Sequence, residues 1–155
     1  MITEPVVHST ITIERTYSAP PERVFAAWSD PKQKRRWFAE GEGWEVLEFA
    51  MDFRVGGRET SSFRGTTHPA KFSNDSHYYD IVPGQRIVMA YTMSADDRRI
   101  SASLGTVELR PVEGGTRLVY TEQAAFFDGA DGPRMREQGW RDLLEALARE
   151  LAAPR

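Results

Sequence analysis

The chain has 155 residues, 40% of them apolar, with Trp 4, Tyr 5 and Phe 8, the length of one ordinary domain (1–155) and enough apolar surface for a core without disulfide or metal staples. Cysteine is absent, which excludes disulfides, thiol nucleophiles and cysteine zinc sites and fits a reducing compartment. Lys+Arg 20 against Asp+Glu 23 gives a net charge of −3, without the basic excess of a nucleic-acid binder.

His8 to Tyr17 alternates, with Ile11 and Ile13 on one side and Thr10, Thr12 and Glu14 on the other, as a half-buried strand does. Pro20-Pro21 opens a short helix with Val24, Phe25 and Trp28 on one face. Asp30-Pro31 caps and starts a second, running to about Trp37-Phe38. From Trp44 the signals are those of a meander. Strands are expected over Trp44–Phe49, Arg58–Arg64, His77–Val82, Arg86–Met93, Ser101–Arg110 and Thr116–Phe126, with turns at Gly56-Gly57, Pro83-Gly84 and Gly114-Gly115. The stretch from Gly65 to Asp75 reads as a long connection, and Asp96-Asp97 as a hairpin tip.

Pro133 to Ala152 is an amphipathic helix. Trp140, Leu143, Leu144, Leu147 and Leu151 form its apolar stripe, and Arg136, Glu137, Arg141 and Asp142 fall on the polar side. The order strand, two short helices, six strands, long helix specifies an α+β fold. A curling antiparallel sheet of about seven strands is wrapped on the terminal helix, which alone has a stripe long enough to cover the concave face. No window reaches the ~20 apolar residues of a membrane span. Met1–Thr10 carries Glu4 and no apolar run, so it is not a signal peptide. A cytoplasmic protein is expected, with no nucleic-acid partner and no integral membrane segment.

Three residues stand out as acid–base candidates. His77 and Tyr79 share strand parity with Ile81, so an inward Ile81 would aim both at the cavity; otherwise His77 is a partly solvated strand end. Glu122 shares a face with Leu118 and Tyr120, and an inward carboxylate needs a partner, for which Arg58, Arg64 and Arg86 are available. Tyr91, beside Ile87, Met89 and Met93, is either a hydroxyl in a greasy wall or a core tyrosine. Trp37, Phe38, Phe49, Phe63, Met89, Tyr120, Phe126, Trp140 and Leu144 complete the expected cavity wall, with His77, Tyr79 and Tyr91. His8 and His68 have no metal-ligand spacing with His77, so no metal and no cofactor are expected. The run Lys32-Gln33-Lys34-Arg35-Arg36 reads as a solvated helix face.

Ile13-Glu14-Arg15-Thr16-Tyr17-Ser18-Ala19-Pro20, Val24-Phe25, Trp28, Asp30-Pro31, Arg36-Trp37-Phe38, Asp52-Phe53-Arg54-Val55-Gly56-Gly57-Arg58, Tyr78-Tyr79-Asp80-Ile81-Val82-Pro83-Gly84 and Gly139-Trp140 stand in one order along the chain. The series resembles the family of activator-of-heat-shock-protein-90-ATPase homologues, within the START-like, birch-pollen-allergen-like superfamily (SRPBCC, polyketide cyclase/dehydrase). The resemblance implies a helix-grip fold with a cavity for an apolar or amphipathic small molecule. Among such relatives some are cyclases or dehydratases, others carry or sense a ligand, and the eukaryotic activators contact a chaperone. A binding protein is the first expectation, an enzyme using His77, Tyr91 or Glu122 the second, and a stress-related chaperone contact the third. A homodimer is an unforced expectation.

Overall fold

A computed structural model describes residues 5–41, 43–67, 69–129 and 132–153. Residues 1–4, 42, 68, 130, 131, 154 and 155 lie outside the described residues. Strand β1 (Val7–Tyr17) is followed by helix α1 (Pro21–Ser29) and the one-turn α2 (Pro31–Lys34), which runs on as a π turn over Arg35–Ala39. Strands β2 (Trp44–Met51), β3 (Arg58–Gly65), β4 (Lys71–Val82), β5 (Arg86–Ala95), β6 (Arg98–Val112) and β7 (Gly115–Phe126) come next, and α3 (Pro133–Ala152) ends the series. The strands make one antiparallel sheet in the order β1-β7-β6-β5-β4-β3-β2. This is the helix-grip architecture expected from the sequence. No described helix is long and apolar enough to cross a membrane.

Local chemistry sets the element ends. Asp30 caps α2 by accepting the backbone N–H of Lys32 at 3.1 Å on Oδ1, with Pro31 in the first turn. Gly84 and Gly114 take φ of +73° and +79° at the β4–β5 and β6–β7 turns, a conformation that penalises a Cβ. The expected Gly65–Asp75 connection is shorter than the sequence suggested, because β4 begins at Lys71. Lys71–Ser76 is polar (KFSNDS) and lacks a strand-like composition, but it lies between β3 and β5 and bonds to both.

Helix α3 closes the concave face. Tyr120 stacks on Trp140 with ring centroids 4.0 Å apart, and Trp28 also stacks on Trp140, at 6.2 Å. Leu144 and Leu147 are fully buried beneath the helix. The Tyr17 hydroxyl donates to the Leu144 carbonyl at 2.9 Å, tying β1 to the middle of α3. The Trp37 indole donates to the Ala27 carbonyl at 2.8 Å, fixing the π turn against α1.

Candidate functional site beneath the terminal helix

Antiparallel partners point to the same face, so the register sorts the expected site residues into two sets. Across the concave face run Phe126, Ser101, Met93, Asn74, Ser61 and Phe49, one from each of β7 to β2. The neighbouring row contains Ser103, Tyr91, Ser76 and Glu59. Tyr91, Tyr120, Met89, Phe126, Trp140, Leu144 and Trp37 are buried in or beside the core, and Phe38, Phe49 and Phe63 are half-buried.

His77 and Tyr79 correct the expectation. Both are exposed on the outer face, Tyr79 at 63% of its surface. A β-bulge between Tyr78 and Asp80 is the reason: Tyr78 pairs with Met89 and Asp80 with Val88, so Tyr79 is the extra residue. Past the bulge the alternation flips. Ile81 therefore shares its face with Tyr78, and parity counted back from Ile81 picks the wrong side. His77 and Tyr79 do not join the site.

Glu122 and Tyr91 do come together, around an arginine assigned to the wrong side of its helix. Arg136, one turn before Trp140 in α3, points inward and is 7% exposed. Its Nη1 lies 2.9 Å from Glu122 Oε2, 3.0 Å from the Tyr91 hydroxyl and 3.2 Å from Ser103 Oγ. Nη2 donates to Ser101 Oγ at 2.6 Å, and the guanidinium lies over the rings of Phe126 and Tyr91. The exposed Arg58 and Arg86 instead pair with Asp75 and Asp80, and Arg64 is also exposed. The spacing 136, 140, 144, 147 carries the signal, because it puts Arg136 on the apolar stripe.

Glu122, completely buried, accepts four hydrogen bonds. Tyr91 and Tyr120 donate to Oε1, each at 2.6 Å, while Ser103 at 3.0 Å and Arg136 serve Oε2. This shell answers the buried carboxyl group on both oxygens and fixes its position. Burial pushes the phenols of Tyr91 and Tyr120 above the ordinary tyrosine range, and Glu122 beside them adds to this. Both stay protonated donors at neutral pH.

A second buried ion pair joins Lys34 of α2 to Glu59 of β3. Lys34, 1% exposed, places Nζ 3.0 Å from Glu59 Oε1 and 3.3 Å from Oε2, and the Tyr78 hydroxyl donates to the same Oε1. The ammonium faces the rings of Phe38, Trp28 and Trp37 at 4.5, 5.3 and 5.8 Å. The basic run is therefore not one solvated face. Its period offered a signal, since Lys34 lies three and four residues before Trp37 and Phe38.

Burial likewise raises the phenols of Tyr17 and Tyr78 above the ordinary tyrosine range. A group whose folded-state pKa is raised contributes stability that is complete below its unfolded value, about 10 for tyrosine, and is lost as pH rises through the folded value. Above about pH 10 the unfolded chain releases protons that the four buried phenols keep. Stability should then fall by about 1.4 kcal/mol per pH unit for each phenol. Urea midpoints from pH 8 to 11 measure this, and Tyr17→Phe should make the slope shallower. An unchanged slope in that variant would show that Tyr17 titrates alike in both states.

Among the described residues, no three His, Cys, Asp or Glu side chains are grouped to hold a metal ion. Two open depressions lie over the outer face of the sheet. One, of about 620 Å³, is bordered by His8, Thr10, Ala102, Leu104, Gln123 and Ala125. The other, of about 200 Å³, lies over β3 and β4.

The wrapped sheet and the helix that grips it define a helix-grip protein. The model of the family described as "Activator of Hsp90 ATPase homolog 1-like protein" matches residues 18–152, and the chain belongs to that family. The chain is similar to an uncharacterized protein from Rhizobium leguminosarum at 43% identity, with 97% of this chain and 98% of that one covered and a TM-score of 0.92. A protein of Rhizobium loti is 52% identical over 95% of this chain and 99% of its own, with a TM-score of 0.87. An AHSA1-like protein from Aeromonas hydrophila shares the fold at 24% identity, covering 92% of each chain with a TM-score of 0.70. No curated protein matches the chain.

Proposed function

We propose that this chain is a cytoplasmic binding protein that holds an amphipathic small molecule between α3 and the concave face of the sheet. One observation carries the reading. The concave face is an aromatic and aliphatic wall into which a few polar groups (Tyr91, Ser101, Ser103, Glu122 and Arg136) are set at one place. Small-molecule sites are built in this way, mostly apolar with a few placed polar groups that orient the ligand. Membership of a family whose fold is a ligand-binding one supports the same reading.

The alternative of acid–base catalysis has less support. Glu122 already accepts four hydrogen bonds, and the tyrosines that donate to it hold their protons, so none of the three is placed to exchange a proton with a substrate. The reading is tested by native mass spectrometry of the freshly purified chain, followed by denaturation and identification of what is released. The same chain is then titrated with 1-anilinonaphthalene-8-sulfonate while near-ultraviolet circular dichroism reports that it remains folded. About one small molecule per chain, carried through purification or taken up as the dye, is the expected result. A folded chain that carries nothing and takes up no dye sinks the proposal.

A further inference from the structure

We infer that the half of the concave face formed by β2, β3 and β4 is a subsite for an aromatic hydroxyl compound, a flat ring system bearing a phenol-like group; this rests on the ligand-binding reading above. Two observations meet there. The first is a pair of unanswered polar groups. Ser61 Oγ and Asn74 Oδ1 are both buried and have no hydrogen-bond partner. Ser61 is 3% exposed, and it stands directly opposite Asn74 in the β3–β4 register, so their Cβ atoms are roughly 4.5–5.5 Å apart.

Both side chains face the same inner space as Arg136. Asn74 pairs with Met93, whose sulfur lies 3.4 Å from Arg136 Nη2. A buried polar atom without a partner is costly and, in a native protein, calls for a reason. The amide oxygen only accepts, whereas the serine hydroxyl can also donate. One hydroxyl between them would answer both, giving its proton to Asn74 Oδ1 and accepting from Ser61.

The second observation is the aromatic floor one row further out. Phe63 pairs with Phe72 across β3 and β4, and their rings lie 6.3 Å apart at 28°. Trp44 packs edge-on against Phe63 at 5.1 Å and Phe72 at 5.9 Å, yet remains 41% exposed. A surface of three rings with one side open to solvent suits a flat aromatic body by offset or edge contacts. Rows two residues apart along a strand are about 7 Å apart, an interval that a bicyclic phenol spans. The ring system would lie on the Trp44 side and its hydroxyl would reach the Ser61–Asn74 pair.

The test compares 2-naphthol with naphthalene by isothermal titration calorimetry, the two sharing a body and differing by the hydroxyl. The chain should bind 2-naphthol about tenfold more tightly, the worth of one well-placed hydrogen-bonding group. Asn74→Leu should cut that preference to less than about twofold without weakening naphthalene, and Ser61→Ala, which removes one atom, should reduce it. Trp44→Ala, at an exposed position, should weaken both probes alike. Equal affinity for the two probes, or a preference that survives both Asn74→Leu and Ser61→Ala, overturns the subsite. If the sulfonate dye is taken up but the naphthol preference is missing, the subsite alone fails. If neither dye nor naphthol binds the folded chain, the binding reading fails with it.

Discussion

Arg136→Met should destabilise the protein by about 3–5 kcal/mol, the usual cost of removing one partner from a buried ion pair. The guanidinium is 7% exposed and the Glu122 carboxylate is completely buried, so nothing in solvent replaces the lost cation. Methionine fills a similar volume, so most of the loss comes from the stranded charge and not from a void. A double-mutant cycle separates the two. Glu122→Gln in the Arg136→Met background removes the charge while keeping an acceptor for Tyr91 and Tyr120, and it should recover at least half of the lost stability. Urea denaturation measures each member of the cycle. A loss below about 1 kcal/mol for Arg136→Met would mean that the pair is solvated in the folded protein.

The second large effect is expected at Lys34. Lys34→Met should also cost about 3–5 kcal/mol, since Glu59 would keep the Tyr78 hydroxyl and lose its cation. The aromatic cage of Trp28, Trp37 and Phe38 adds to the loss because its ring faces hold the ammonium in a desolvated place. Lys34→Arg should be costly as well, since a planar guanidinium does not fit a space shaped around a compact ammonium. Lys32→Met, two residues earlier on the exposed side of the same helix, should leave the midpoint unmoved. Equal effects at 32 and 34 would show that the run is a solvated face after all.

Those two residues also show how far the sequence could be read. The strands, the paired short helices and α3 were legible because each rests on local chemistry: alternation, Gly and Pro turns, and a 3.6-residue stripe. Asp30 was legible as a cap for the same reason. Lys34 and Arg136 were not, because in the sequence a charged side chain at a core position looks like part of a polar face. Both sit at the correct helical spacing for the core, and their charges are answered by Glu59 and Glu122 from strands 25 and 14 residues away in sequence.

His77 and Tyr79 failed for a different reason. A single extra residue in β4 reverses the alternation, and nothing in HYYDIV announces it. The first half of β4 was hidden because its pairing partners, not its composition, make it a strand. Glu122 is legible as an inward carboxylate that needs company, and Tyr91 as an inward residue of the wall. That company was not legible, since it depends on how α3 crosses the sheet.

The placement of the indoles gives the protein a built-in optical label for each end. Trp28, Trp37 and Trp140 are 1%, 3% and 4% exposed, and the rings of Trp28 and Trp140 lie 6.2 Å apart and only 13° from parallel. Transition dipoles that close couple, so this trio should give an exciton band in circular dichroism and a blue, quencher-resistant emission. Trp44, 41% exposed at the far end of the sheet, should emit further to the red and be the first extinguished by iodide. Two colours from one chain then report separately on the grip of the helix and on the open aromatic floor.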